Sequence, residues 1–296
     1  MYDGGLAHAF CIEGDRGNPS FILVTNQTDD MDSRLCLALS RHFECEVTWV
    51  QRRTDGPQYR LRYFVPETEI EFCGHGTLAA AAWLARFQDI HAPIPFHVSG
   101  RVIPVYYSSA GTWLYEQSAF PLQPLTDAAY IADITRSLGL THPPSIERHL
   151  SVYRSCGAIR EKLIVQLAEK MLLEKIEPDA AMRDAICSAL NVTGIYAFCD
   201  LSDASAAKAA ARHFPAHSAE DLATGAIAPT IAQHILNKRH HPVVNIFQGG
   251  KQSQTSHIQV SANIQTGHWN VGGECRVTDT RDFETWPPAF YSETND

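Results

Sequence analysis

RYFVPETEIEFCGHGTLAAAAWLARF, residues 62–87, decides the fold, because a related stretch, RHFPAHSAEDLATGAIAPTIAQHIL, occupies residues 212–236. In both, Arg-x-Phe leads to a proline, and Gly76 and Gly225 stand ten positions after Pro66 and Pro215. Glu71 and Glu220 share the slot five before the glycine, and only Val65 lacks a counterpart. The offset of 149 (from 66 to 215) is half of 296 residues, so the chain reads as two domains of one plan, facing each other. Each copy runs into a helix poor in charge, Thr77–Phe87 and Ala226–Leu236. Helices without a polar face belong inside a protein, and Pro229 is tolerated because first-turn amides have no internal acceptor to lose. Small residues at both starts (Gly74-His75-Gly76-Thr77 and Ala223-Thr224-Gly225-Ala226) expose backbone N–H groups at the positive end of a helix. Two such ends across a cleft would hold the carboxylate of a small anionic substrate.

Outward from the repeat, short β-rich runs alternate with helical spacing, as expected of an α/β (α+β) protein. Strands are expected at Ser20–Val24, Val47–Val50 and Tyr59–Phe64, with a helix from Asp30 to Phe43 and a hairpin turn at Asp55-Gly56-Pro57. Phe120-Pro121-Leu122-Gln123-Pro124 reads as a linker, giving domains at 1–122 and 123–280, the latter able to send its last strands back to the first. Residues 281–296 read as a tail. The second half should hold helices near Asp127–Leu138 and Pro178–Leu190, strands at Ile146–Tyr153 and Lys162–Leu167, and sheet from Val243 to Val277.

Composition narrows the function. Hydrophobic residues make up 45% and charged residues 19%, which excludes a disordered chain. A formal charge of −9 would repel a phosphate backbone, so no nucleic-acid partner is expected. The eight cysteines include no C-x-x-C pair and read as reduced and mostly buried. With neither a basic-apolar leader nor a long apolar run, the expected location is cytoplasmic, without a membrane span.

Several segments together resemble the PhzF-like family of phenazine biosynthesis proteins, which has a diaminopimelate epimerase-like fold. They are Gly17-Asn18-Pro19; Cys45-Glu46-Val47-Thr48-Trp49-Val50 for S-E-T-A-F-V; and Arg62-Tyr63-Phe64-Val65-Pro66 for R-W-F-T-P. Glu69 follows, then Phe72 to Ala81 for the C-G-H-A-T-L-A-A-A block, Glu220 to Ala226 for E-D-P-A-T-G-S, and Gln248-Gly249. The resemblance implies two domains, each a β-sheet curled around a central helix, a site in the cleft between them, and a homodimer. It implies isomerisation of a small carboxylate or amino-acid-like substrate without a cofactor or metal. Glu46 would be the general acid/base, with His75 and Asp221 completing the catalytic set. Gly74, Gly76, Thr77, Thr224, Gly225 and Ala226 would bind the substrate.

The residues themselves set further expectations. Burial among Cys45, Val47 and Trp49 would raise the pKa of Glu46 toward neutrality, and the helix N-terminus would lower that of His75. Asp221 also suits an N-cap. Cys45 and Val47 replace a serine and a threonine, so a hydroxyl to orient the Glu46 carboxylate is missing, while Leu222 and Ala226 replace a proline and a serine. Two-thiol epimerases of this fold carry a cysteine at each helix start; here Leu222 occupies the second slot, so Cys73 reads as a small buried hydrophobe. The His240-His241 pair lacks a third spaced ligand and reads as a solvated loop. Two other readings stay open: a racemase or epimerase using Glu46 and Asp221 on opposite faces, and a non-catalytic small-molecule-binding relative.

Overall fold

The computed structural model describes residues 3–12, 17–25, 32–53, 59–140, 150–158, 160–237, 241–249 and 256–278. The expected turn at Asp55–Pro57, the His240 half of the histidine pair and the 281–296 tail lie outside the described residues. Contacts divide the chain into one unit of Met1–Glu116 with Gly272–Asp296 and a second of Gln117–Val271.

In the first unit, β1 (Asp3–Cys11), β2 (Asn18–Thr25), β3 (Glu46–Arg52) and β4 (Tyr59–Val65) pair in that order. After the short β5 (Thr68–Ile70) on β4 come β6 (Ile94–Val98), β7 (Arg101–Tyr107) and β8 (Trp113–Gln117). The last strand among the described residues, Trp269–Val277, pairs with both β8 and β1 and closes a ring of eight strands. β2 and β3 are parallel, joined through helix α1 (Ser33–Phe43); β4 and β6 are parallel, joined through α2 (Gly74–Phe87). Parallel neighbours require such crossovers.

Strand alternation sorts side chains to the two helices. Phe21, Leu23, Val47, Trp49 and Phe64 form one core with Cys36 and Leu39 of α1. Ser20, Glu46, Thr48 and Tyr63 lie on the opposite face, against α2, whose residues 74–84 are all buried. This corrects two expectations. Cys45, Val47 and Trp49 pack toward α1, so they do not enclose the Glu46 carboxylate, and a hydroxyl at 47 would not reach it.

The approach of α2 to β3 is close enough to demand glycine. A Cβ on Gly76 would lie 2.3 Å from Thr48 Oγ1 and 3.1 Å from Cys73 Sγ. The motifs that this sequence resembles, S-E-T-A-F-V and C-G-H-A-T, have alanine at both 48 and 76, so the extra atoms of Thr48 and the missing methyl of Gly76 compensate. Gly76→Ala should therefore cost about 1–3 kcal/mol by overpacking, and Thr48→Ala should return most of it. A double-mutant cycle by denaturant unfolding checks this.

The second unit begins with β9 (Leu122–Pro124), α3 (Ala128–Ser137), β10 (Leu150–Ser155), β11 (Leu163–Leu167), α4 (Lys170–Glu174) and α5 (Ala180–Ala189). It continues through β12 (Gly194–Asp200), β13 (Ala207–Pro215), a 3-10 turn at Gly225–Ile227, α6 (Ala228–Leu236), β14 (Val243–Gln248) and β15 (Ser256–Ala262). Its sheet runs in order from β9 to β15 without β5-like outliers, with β11–β12 and β13–β14 parallel. Leu163, Val165, Ile195, Ala197 and Phe214 face a core shared with α3, α4 and α5. α6 packs on the other face, where His234 Nε2 lies 3.0 Å from Gln166 Oε1. Each unit thus has a sheet bearing an apolar helix on one face and amphipathic helices on the other. Asp32, Asp127 and Asp179 cap α1, α3 and α5 through their carboxylates.

The repeat has a structural counterpart with one correction of register. Arg62 holds Glu69 by two bonds (2.7 and 2.6 Å), and Arg212 holds Glu220 likewise (2.9 and 2.7 Å). Each guanidinium also covers the phenylalanine two residues on, at 5.1 and 4.9 Å. The counterpart of Glu220 is therefore Glu69, not Glu71: β5 ends at Ile70, leaving Glu71 beyond the hairpin that meets Arg62. Among the described residues no helix is long and apolar enough to cross a membrane.

Candidate active site

Glu46 opens β3 beside Ser20 of β2, while His75 is the second residue of α2. The strand start and helix start meet so that Glu46 Oε2 contacts His75 Nε2 directly. The His75 side chain is 7% exposed and that of Glu46 24%, so the imidazole is enclosed while the carboxylate keeps an open side. Asn18 Nδ2 lies 3.3 Å from His75 Nδ1, and Cys73 Sγ lies 3.4 Å from it. Ser20 Oγ donates to the Glu46 carbonyl at 3.2 Å and shares a 2.8 Å bond with Thr48 Oγ1. A hydroxyl pair thus fixes the backbone at Glu46 from its own face of the sheet.

Burial by itself disfavours the imidazolium, but the ring's contacts with Cys73 and with the Glu46 carboxylate outweigh it and hold His75 well above its ordinary range. The lowering expected from the helix N-terminus is reversed, because a carboxylate in contact acts more strongly than a partial charge. Cys73 is raised, first by burial and next by Glu46, so its sulfur is a thiol at neutral pH. That sulfur caps α2, accepting the Gly76 N–H at 3.2 Å. Thr77 is fully buried: its Oγ1 donates to the Cys73 carbonyl at 2.7 Å and receives Tyr63 Oη at 2.6 Å. The first-turn amides of Gly74 and His75, by contrast, precede any intrahelical acceptor.

In the second unit Asp221 sits at the centre of a hydrogen-bonded turn. Its Oδ1 accepts Ala223 N–H at 3.2 Å, and its Oδ2 accepts Thr224 Oγ1 at 2.8 Å and His213 Nδ1 at 3.1 Å. Gln248 donates to the Asp221 carbonyl at 2.7 Å and to Thr224 Oγ1 at 2.9 Å, and accepts Thr224 N–H at 3.1 Å. Since the Thr224 hydroxyl proton goes to Asp221, His213 must donate from Nδ1, which leaves its buried Nε2 unpartnered among the described residues. Gly225 and Ala226 form the first positions of the turn into α6, and the Ala226 carbonyl accepts Gln117 Nε2 at 2.5 Å.

Sequence reading missed His213. The signal was present: it occupies the slot of Tyr63 in the repeat, and both side chains reach a helix-start threonine. Burial pushes the His213 pKa down to about 4, against the opposing pull of its bond to Asp221. Nearby Lys162, bonded to Thr193 Oγ1 at 3.1 Å, is pushed down to about 8, again by burial. Between pH 6.5 and about 4 the unfolded chain binds a proton that His213 refuses, so stability falls as pH falls through that window. The loss should total about 3 kcal/mol, and His213→Gln should flatten that part of the stability profile, as read by urea unfolding at stepped pH.

One oxygen, one sulfur and one nitrogen of Glu46, Cys73 and His75 lie within 4.8 Å of one another, the one such ligand group found among the described residues.

A family model described as phenazine biosynthesis-like protein (PhzC-PhzF) matches residues 7–278. Among curated relatives, an uncharacterized isomerase of Halalkalibacterium halodurans is 26% identical over 61% of this chain and 63% of its own length. The uncharacterized isomerase YfhB of Bacillus subtilis is 24% identical over 97% of this chain and 95% of its own. A mouse phenazine biosynthesis-like domain-containing protein is 34% identical, but the match spans 27% of this chain and 29% of that protein. Among solved structures, a Bacillus anthracis phenazine biosynthesis protein of the PhzF family aligns with a TM-score of 0.76 at 17% identity, covering 93% of this chain and 97% of that one. A hydroxyproline epimerase from Agrobacterium vitis aligns with a TM-score of 0.54 at 10% identity, covering 94% and 90%. Likeness at these identities shows the fold.

Proposed function

This chain belongs to the family of phenazine biosynthesis-like proteins, and on that premise we propose that it is an isomerase, independent of any cofactor, that moves a carbon-bound proton on a small amino or cyclic carboxylic acid. The observation that carries this reading is the contact between Glu46 Oε2 and His75 Nε2 at the start of the central helix. With one carboxylate oxygen held by the imidazole, Oε1 takes the proton from carbon and returns it to another carbon on the same face. His75, held charged above its usual range, stays in contact with the Glu46 carboxylate through the transfer. Negative charge spreading toward the substrate carboxylate is met by first-turn amides, each worth up to ~3 kcal/mol when well placed.

Of the proposed substrate-binding residues, Gly74 offers such an amide beside Glu46, and Gly225 and Ala226 stand at the corresponding helix start of the second unit. Gly76, Thr77 and Thr224 support them, since their donors are engaged by Cys73 Sγ, the Cys73 carbonyl and Gln248 or Asp221. Asp221 enters as the residue that fixes the Thr224–Ala226 turn. Because both its oxygens accept internal bonds, the epimerase alternative with Asp221 as second acid is not favoured. The test is incubation with a panel of amino and cyclic unsaturated carboxylic acids in heavy water, followed by NMR. Deuterium entering carbon and a shifted double bond in at least one acid is the expected result; tight binding with no exchange over hours identifies a non-catalytic binder.

A further inference from the structure

We propose that Glu46, Cys73 and His75 bind a zinc ion, and that the bound ion silences the proton transfer at this site. The side chains supply a thiol sulfur, an imidazole nitrogen and a carboxylate oxygen, the donor set zinc favours. Cys73 Sγ is already 3.6 Å from His75 Nε2. Around a tetrahedral zinc, with Zn–S near 2.3 Å and Zn–N near 2.0 Å, those two ligands stand roughly 3.5 Å apart. Because the sulfur stands 3.4 Å from Nδ1 as well, the Glu46–His75 contact must open and the imidazole must turn until Nε2 faces the sulfur; the partly exposed carboxylate is the end free to move. Support behind the ligands is also in place. Asn18, whose side-chain amide lies 3.3 Å from His75 Nδ1, orients the ring once the amide turns its Oδ1 to accept the Nδ1–H, and the Gly76 N–H points at the sulfur at 3.2 Å, where it steadies a thiolate.

Binding replaces the Cys73 thiol proton and the His75 Nε2 proton, both of which leave to solvent, so zinc affinity rises with pH, and no electron changes hands. The ion takes the Glu46 lone pair and the His75 nitrogen on which exchange depends, so zinc acts as an inhibitor. Binding stands apart from the isomerase reading, whereas inhibition rests on it.

Zinc alone, titrated into the metal-free protein by calorimetry, should bind at one equivalent per chain. Cobalt should give the near-ultraviolet thiolate charge-transfer band, and X-ray absorption of the zinc form should show one sulfur near ~2.3 Å. Cys73→Ser should abolish the cobalt band and weaken zinc by more than the about 10–100-fold that loss of a partner behind a ligand costs. If that variant does not fold, the wild-type absorption spectrum decides. No stoichiometric binding, a zinc shell without sulfur, or full affinity in Cys73→Ser overturns the site. With a substrate in hand, saturating zinc should stop exchange and a chelator restore it. Unchanged or faster exchange in the zinc-loaded protein overturns inhibition, while absence of exchange in the metal-free protein sinks the isomerase reading and leaves the binding result standing.

Discussion

Glu46→Gln folds like the wild type and loses exchange of the carbon-bound proton by about 10²–10⁴-fold, the span a positioned general base contributes. Glutamine matches the shape of glutamate and can still bond His75 Nε2, so geometry is preserved while the proton acceptor is lost. Stability should fall at neutral pH and below, where the raised His75 pKa favours the native state, and the fall should vanish at alkaline pH. The same variant removes a major support of the His75 charge. In the wild type the imidazole should remain protonated well above pH 6.5 by NMR, and in Glu46→Gln its titration should move down, since burial then acts with less opposition. Glu46→Asp keeps the charge but withdraws it from the reacting carbon, and should show the pH behaviour of the pair with reduced turnover.

The largest loss of stability is expected at Arg212. It is 6% exposed, bonded twice to Glu220, and donates from Nη1 to the carbonyls of Leu173 and Ile176 at 3.3 and 2.9 Å. Those carbonyls lie in α4 and just beyond it, so one guanidinium ties β13, the Glu220 loop and α4 together. Arg212→Leu leaves a carboxylate and two carbonyls without their donor, at a cost of about 3–5 kcal/mol. Its repeat partner should matter far less. Glu69 is 42% exposed and Arg62 18%, and solvent screens the pair, so Arg62→Leu should cost about 1 kcal/mol. Comparing the two variants by thermal and urea unfolding checks the inequality; equal losses would contradict it.

How much of this was readable beforehand differs from residue to residue. The doubled Arg-x-Phe and the charge-poor helices identified two like units because those features act locally, within one hairpin or one helix. The counterpart of Glu220 differs by two residues from the one that spacing names, because spacing counts positions, whereas the end of β5 decides which glutamate faces Arg62. The surroundings of Glu46 differ from the expectation for a related reason: its adjacent chain neighbours point to the opposite face of the strand, and its true neighbours are Thr48, two residues on along β3, and Ser20 and His75 from other elements. His75 was expected to be lowered because the helix end is visible in sequence and a carboxylate from a distant strand is not. His213 escaped notice among 14 histidines, its importance depending on the Asp221 and Thr224 oxygens that the turn folds against it.

The most direct test is a single turnover in heavy water by the wild-type protein, with the substrate hydrogen followed into product by mass spectrometry and NMR. A lone carboxylic acid that lifts a proton and sets it down elsewhere on one face should deliver part of the original hydrogen to the product. Product bearing solvent deuterium in every molecule, at a rate that Glu46→Gln leaves untouched, would contradict the role assigned to Glu46 and His75.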